Sequence, residues 1–357
     1  MTTERGGGMA LAVPGDISTL TGGYIYDRRL ADALTGLGYC VRYLSFGDSF
    51  PHPSAADMTD ALAQLAALPR DCPVLVDGLA FGALETKALA NVRAPLVALV
   101  HHPLALEPGL SEGQARDMAA RESANLALAR HIVVTSPHIA GLLMAEYAVA
   151  PHRISVAQPG FDPPTAKTVI RETPPLILSV GLLARRKGHD ILLHALARIA
   201  DLDWQAKIVG RAHEPYTASA LHDMCVDLGL EQRVQLVGEV SQPVLDALYR
   251  RASLFALATR YEGYGIVFAE AMGHGLPIVS TRAGAVPDTV AADAGLLVVP
   301  EDPIAFANAL RRMLSDPEFQ GGCSAGAQRA ATGLPGWDDA ARVAARALFA
   351  TEPADET

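Results

Sequence analysis

At 357 residues the chain is longer than one hydrophobic core usually serves, and with half its residues hydrophobic and 19% charged it has material for two ordinary globular domains. The formal net charge of -10 is shared by both halves, with 12 Lys and Arg against 16 Asp and Glu up to residue 168 and 17 against 23 beyond it, so neither half has the basic surface that a nucleic-acid partner needs. The apolar run Met9–Val13 after Arg5 is too short for a signal-peptide core, and no stretch approaches the roughly 18 to 20 apolar residues of a spanning helix. Cys40, Cys72, Cys225 and Cys323 form no paired motif, which points to reduced thiols in a cytoplasmic protein.

In chain order, the first half offers strands at Met9–Val13, Cys40–Leu44, Val74–Asp77, Leu96–His101, Ile132–Thr135 and Ile154–Ala157. Between them, Tyr26, Leu30, Ala33, Leu34 and Leu37 recur at helical spacing, with Gly38 as the stop. A second helix is expected from Ser111 to about Ala129. It mixes Arg116 and Arg121 with Glu112, Asp117 and Glu122, which gives no support for an anionic membrane surface.

Pro159-Gly160-Phe161-Asp162-Pro163-Pro164, continuing loosely to Pro174-Pro175, reads as a linker. The second half repeats the pattern, with strands at Leu176–Val180, Gln205–Val209, Val234–Val237, Leu254–Leu257, Pro277–Ser280 and Leu296–Val299. Helices are expected at 188–200, 242–250 and 306–314, and one more after Pro335 carries Trp337, Ala341, Ala344 and Leu348. Strands alternating with helices in this way predict an α/β protein of two doubly wound, Rossmann-like domains. The expected boundaries are 1–165, 170–335 and a C-terminal helix over 336–357, whose destination the pattern alone does not decide, the first domain being one place for it to pack back.

The most informative segment runs from Arg260-Tyr261-Glu262-Gly263-Tyr264-Gly265-Ile266 through Glu270 to Pro277. It follows a buried strand and opens a helix. Its glycines let backbone amides approach a ligand, and the unpaired N–H groups of the helix start favour an anion such as a diphosphate. Glu262 in the loop and Glu270 in the helix can accept hydrogen bonds from hydroxyl groups on either side of such an anion.

This segment resembles the E-x7-E region of the family 4 retaining glycosyltransferases, and the resemblance spans most of the chain. It implies the GT-B fold, two Rossmann-like domains facing across a cleft, with the acceptor on the N-terminal domain and the nucleotide-sugar donor on the C-terminal one. It implies that Glu270 contacts the nucleotide ribose and Glu262 the donor sugar, with Gly263, Tyr264, Gly265 and Ile266 around the diphosphate.

Other landmarks follow the family's order. Thr21-Gly22-Gly23 resembles the N-terminal glycine loop near the donor phosphates, so Gly22 and Gly23 are donor-binding candidates. His101, at a strand end where doubly wound sheets bind ligands, matches the family's functional histidine. In Gly181-Leu182-Leu183-Ala184-Arg185-Arg186-Lys187-Gly188, Lys187 matches the family's phosphate-binding lysine, but Leu182 stands where the family has arginine. Arg185 or Arg186 is the substitute, and Arg186 is the donor-binding candidate. Smaller agreements are Ile208-Val209-Gly210, Val237-Gly238-Glu239-Val240 and Gly284-Ala285-Val286-Pro287-Asp288.

The resemblance implies a retaining, metal-independent hexosyltransferase with catalytic residues His101, Lys187 and Glu262. A UDP- or GDP-sugar is the implied substrate, with an unidentified hydroxyl acceptor and no further cofactor. Asp201-Leu202-Asp203 lies before a strand rather than after one and reads as a solvated turn, and no His/Asp/Glu cluster has evident metal-ligand spacing. Two competing readings are a GT-B sugar-nucleotide epimerase and a catalytically weak sugar-nucleotide-binding module, the latter supported by Leu182. A dinucleotide oxidoreductase is set aside because Phe268 occupies the last glycine position of Gly263-Tyr264-Gly265.

Overall fold

The computed structural model describes residues 7–107, 109–164, 170–212 and 215–349, with side chains 215–217 omitted. Arg5, the 165–169 stretch of the expected linker and the end of the expected 336–357 segment lie outside the described residues. The chain divides into two compact units, one up to Gly160 together with the residues from Pro335 onwards, the other Phe161–Leu334.

In the first unit β1 (Gly8–Pro14), α1 (Gly22–Gly36), β2 (Cys40–Phe46), α2 (Ala55–Ala66), β3 (Val74–Asp77) and α3 (Gly78–Phe81) are followed by α4 (Thr86–Leu89) and β4 (Leu96–Val100). Then come α5 (Glu112–Leu128), β5 (His131–Val134), α6 (Pro137–Glu146) and β6 (Ile154–Val156). The six strands are parallel in the order β2-β1-β3-β4-β5-β6. Both faces are covered, as a parallel sheet requires: Met9, Leu11 and Val13 of β1 enter one core while Ala10 and Ala12 are buried on the other side. The expected helix at Ser111 starts where the sequence placed it, because Ser111 and Gln114 form a reciprocal capping box.

The second unit contains β7 (Leu176–Val180), α7 (His189–Ala197), β8 (Gln205–Val209), α8 (Pro215–Asp227), β9 (Val234–Gly238), α9 (Gln242–Arg251) and β10 (Leu254–Leu257). It continues with α10 (Ile266–Gly273), β11 (Ile278–Thr281), α11 (Val286–Thr289), β12 (Gly295–Val298), α12 (Pro303–Ser315) and α13 (Pro317–Ala331). Its parallel sheet has the order β12-β11-β10-β7-β8-β9. The order reverses between β7 and β10, so the loops leaving those two strands diverge and open the crevice where doubly wound sheets take ligands. Separate cores lie on its two faces, one around Trp204, Leu192 and Phe306, the other around Tyr249, Phe255 and Phe268.

The last helix, α14 (Trp337–Phe349), returns to the first unit. Its small inward positions Ala340, Ala341, Ala344 and Ala345 share a core with Leu30, Ala31 and Leu34 of α1, which lets the two helix backbones approach closely. Trp337 meets Tyr26 edge-on at 5.7 Å, and Phe349 stacks on Tyr39 at 5.1 Å. The four cysteines are free thiols. Among the described residues no helix is long and apolar enough to cross a membrane.

Candidate functional site

The loops after β7 and β10 bring the second unit's predicted residues together. After β7 the chain passes Gly181 and Leu182 into a short 3₁₀ turn, Arg185–Lys187, which ends at Gly188 with φ +64°. A Cβ there would sit 1.8 Å from the Ala258 carbonyl oxygen, so only glycine lets this turn lie against the end of β10. Three further bonds hold this segment from the other side, Arg260 N–H to the Arg186 carbonyl at 2.8 Å and a bidentate pair from Arg260 to Asp190, at the start of α7, at 2.8 and 2.7 Å.

Lys187 is thereby held inside the loop cluster. Its Nζ donates to Glu262 Oε1 at 2.7 Å, with the two side chains only 11% and 5% exposed. Thr259 Oγ1 donates to the same oxygen at 2.9 Å, and Arg186 Nη1 lies 3.4 Å from Oε2 while donating to the Tyr261 carbonyl at 2.9 Å. Burial pushes the Glu262 carboxyl up, but Lys187, Arg186 and the hydrogen bonds outweigh it and hold the group below its usual value. Burial lowers Lys187 despite Glu262. The Glu262 carboxylate is thus a buried, ionised acceptor rather than a solvated loop charge.

The Glu262 backbone is fixed as tightly as its side chain. Ala285 N–H donates to its carbonyl at 2.9 Å, and Gly284, at φ +53°, passes so close that a Cβ would lie 2.3 Å from that oxygen. The Gly284-Ala285 agreement in the sequence therefore has a physical role, since it seats the loop that carries Glu262. Gly263 and Tyr264 follow, and Gly265 is the N-cap of α10, whose carbonyl takes the Phe268 N–H at 2.9 Å, so the free amides of Ile266 and Val267 open beside this cluster. Glu270, half-buried further along the helix, accepts from the Tyr249 hydroxyl at 2.8 Å, and burial raises its carboxyl.

Leu182 presents its carbonyl rather than its side chain to a partner. The neutral His189 ring, lowered to about 4 by burial, has Nε2 3.2 Å from that oxygen. Arg186, not Arg185, is the guanidinium beside Glu262 and Lys187. Asp201 of the Asp-x-Asp is exposed and paired with Arg311 at 2.6 Å on the surface.

A different cluster occupies the first unit. His101 follows β4 and is 18% exposed, with Nε2 3.0 Å from Asp27 Oδ1 on α1 and 3.5 Å from Asp77 Oδ2 at the end of β3. Tyr26 meets the imidazole edge-on at 5.2 Å. Gly22 and Gly23 are the first residues of α1 after the N-cap Thr21, and a Cβ on Gly23 would touch the His101 ring at 3.6 Å. Burial alone would lower the His101 pKa, but Asp27 and Asp77 raise it decisively and keep the ring cationic, while burial raises Asp27.

Sequence spacing gave no hint of Asp27 and Asp77. Their ligand atoms and that of His101 lie within 4.8 Å of one another, a spacing that could hold a metal only with the His101 ring deprotonated, where the sequence offered no ligand spacing. The signal was an acidic residue inside an apolar stripe: Asp27 lies three positions before Leu30 and seven before Leu34, on the buried face of α1. Tyr249, Thr259 and Arg260 were also missed, because their roles depend on contacts between segments apart in the chain.

Residues 163–330 match the family model described as Glycosyl transferases group 1. D-inositol 3-phosphate glycosyltransferase 1 of Catenulispora acidiphila is 31% identical over 255 residues, covering 66% of this chain and 61% of that protein. The chain thus spans less than two thirds of the length of this and other curated relatives. The sucrose-phosphate synthase of Thermosynechococcus elongatus superposes with a TM-score of 0.78 at 22% identity, over 94% of this chain and 96% of that one. The Anabaena protein Alr3699/HepE, solved with UDP and glucose, gives 0.72 at 20% identity, over 95% and 99%. The fold is that of the GT-B glycosyltransferases.

Proposed function

We propose that this chain, whose second domain belongs to the group 1 glycosyl transferases, moves a hexose-type sugar from a nucleoside diphosphate donor to an acceptor hydroxyl with retention of configuration. The observation that carries the reading is the Lys187–Glu262–Arg186 cluster beside the free amides of α10, at the point where the strand order reverses. Two fixed cations and a helix start next to each other suit a diphosphate, and they suit the charge that grows on it as the glycosidic bond breaks.

In this reading Lys187, Arg186 and the amides from Gly263 to Ile266 stabilise the leaving diphosphate. Arg186 supplies the guanidinium that Leu182 lacks. Glu262 accepts from donor-sugar hydroxyls, and Glu270 from the ribose. His101, with Gly22 and Gly23 beside it, is a protonated donor suited to a sugar hydroxyl. The acceptor hydroxyl attacks on the face that the diphosphate leaves, and a phosphate oxygen takes its proton, so the protein chiefly positions and stabilises. None of these roles calls on a bound metal; the family resemblance supports a metal-independent enzyme, and the four free cysteines support a cytoplasmic one.

The test is a thermal-shift and calorimetric comparison of UDP, GDP and ADP and their hexose conjugates. One base is expected to stabilise the protein selectively, and Lys187→Ala and Glu270→Ala to weaken it at least about tenfold, the worth of one charge-assisted bond. An equal response to all three, or none, refutes the donor reading.

A further inference from the structure

Glu270 does not stand alone on α10. The carboxylate is gripped at one oxygen by Tyr249 of α9, whose hydroxyl donates to Oε2 at 2.8 Å. Tyr249 is 1% exposed, stacked at 5.1 Å and 10° on His274 on one hand and at 6.2 Å on Phe255 on the other. His274 is fixed in turn by Asp246, with Nε2 3.3 Å from Oδ1, and Asp246 also pairs with Arg250 at 3.2 Å. Asp246 and Tyr249 share one face of α9, and Glu270 lies about one turn before His274, the C-cap of α10, so the two helices are pinned by two polar contacts one turn apart.

A tyrosine held in this way has little freedom to turn its hydroxyl elsewhere, and a buried O–H keeps the acceptor it has. Burial and the Glu270 charge raise the Tyr249 phenol well above its ordinary value, so it remains a donor throughout the working range. A fixed donor at Oε2 sets the plane of the carboxylate and directs the other oxygen away from Tyr249. It is also the contact that opposes the burial of Glu270, which by itself favours the protonated acid.

We propose that Tyr249 is a positioning residue that makes Glu270 select ribonucleotide donors, holding the carboxylate so that its second oxygen accepts from the ribose 2′- and 3′-hydroxyls. The inference rests on the donor reading above and adds a residue to it. Phe at 249 keeps the stacked ring and removes only the donor. The carboxyl then protonates more readily, and an acid that must donate one bond cannot hold a diol as a carboxylate does.

The experiment measures dissociation constants for UDP, GDP and ADP and for their 2′,3′-dideoxy forms, with wild type and Tyr249→Phe, from pH 6 to pH 9. Wild type is expected to prefer the best ribonucleotide over its dideoxy form by about tenfold or more, a difference of roughly 1.4 kcal/mol. Tyr249→Phe is expected to lose most of that preference while binding the dideoxy form as before, and to lose less of it as pH rises, because burial already favours the protonated acid and the lost bond opposed it. A packing role would weaken both forms equally at every pH, and either that result or an undiminished preference overturns the proposal. Failure of wild type to bind any of the three diphosphates overturns the donor reading and this inference with it, so the two failures are told apart by the wild-type titration alone.

Discussion

Removing the Lys187 ammonium tests whether the loop cluster is held by its buried ion pair. In Lys187→Met the alkyl stem stays, but the Glu262 carboxylate, 5% exposed, loses the cation at 2.7 Å. Breaking a buried pair from one side costs about 3–5 kcal/mol because the remaining charge is stranded. Here Thr259 at 2.9 Å and Arg186 at 3.4 Å still serve Glu262, which places the loss near the low end, about 3 kcal/mol. For a domain of this size that is a fall in melting temperature of about 6–12 °C.

Glu262→Gln is expected to cost about 2 kcal/mol by leaving Lys187 beside a neutral amide. The double variant, with no charge left unpaired, is expected to cost little more than the worse single change, giving a coupling of about 2 kcal/mol. Calorimetric unfolding of the four proteins at pH 7.5 measures it. Because Glu262 is held below its ordinary value, its contribution is present above the unfolded carboxyl pKa and fades as pH falls through the folded one, so the coupling shrinks in acid. Losses that add within about 0.5 kcal/mol refute the argument, since the pair would then contribute no interaction of its own.

Arg260→Lys keeps the charge but cannot form the fork to Asp190 that fastens the Arg185–Lys187 turn, and a loss of about 1–2 kcal/mol with a several-fold weaker nucleoside diphosphate affinity is expected by calorimetry. Glu122 is 1% exposed and accepts from Leu104 N–H just beyond His101, and burial pushes its carboxyl up to about 7. The folded state therefore keeps a proton that the unfolded chain releases above about pH 4.5, so stability falls as pH rises through that window. Glu122→Gln removes the slope, and its melting temperature relative to wild type is expected to rise by several degrees between pH 5 and pH 8, by at most about 3 kcal/mol. A constant difference would refute the assignment.

All twelve strands among the described residues were legible because most of them are short apolar runs, as a parallel strand buried on both faces must be, and the turns between them are marked by Gly and Pro. The candidate residues Glu262, Glu270, Lys187 and His101 were named through the family resemblance of the segments that carry them. Local chemistry sufficed for the strands, because periodicity and turn signals involve neighbours in the chain. What the sequence could not supply was the choice of partners. That Arg186 rather than Arg185 stands beside Glu262 follows from a turn pressed against β10 through Gly188, a contact between residues some seventy positions apart. Asp27, Asp77 and His101 meet because β1, β3 and β4 are neighbours in the sheet, and Tyr249 reaches Glu270 because α9 and α10 pack on the same face. The charge states of these groups were likewise set only by folding, since burial and an opposing charge at about 3 Å shift a pKa, and both are properties of the packed chain.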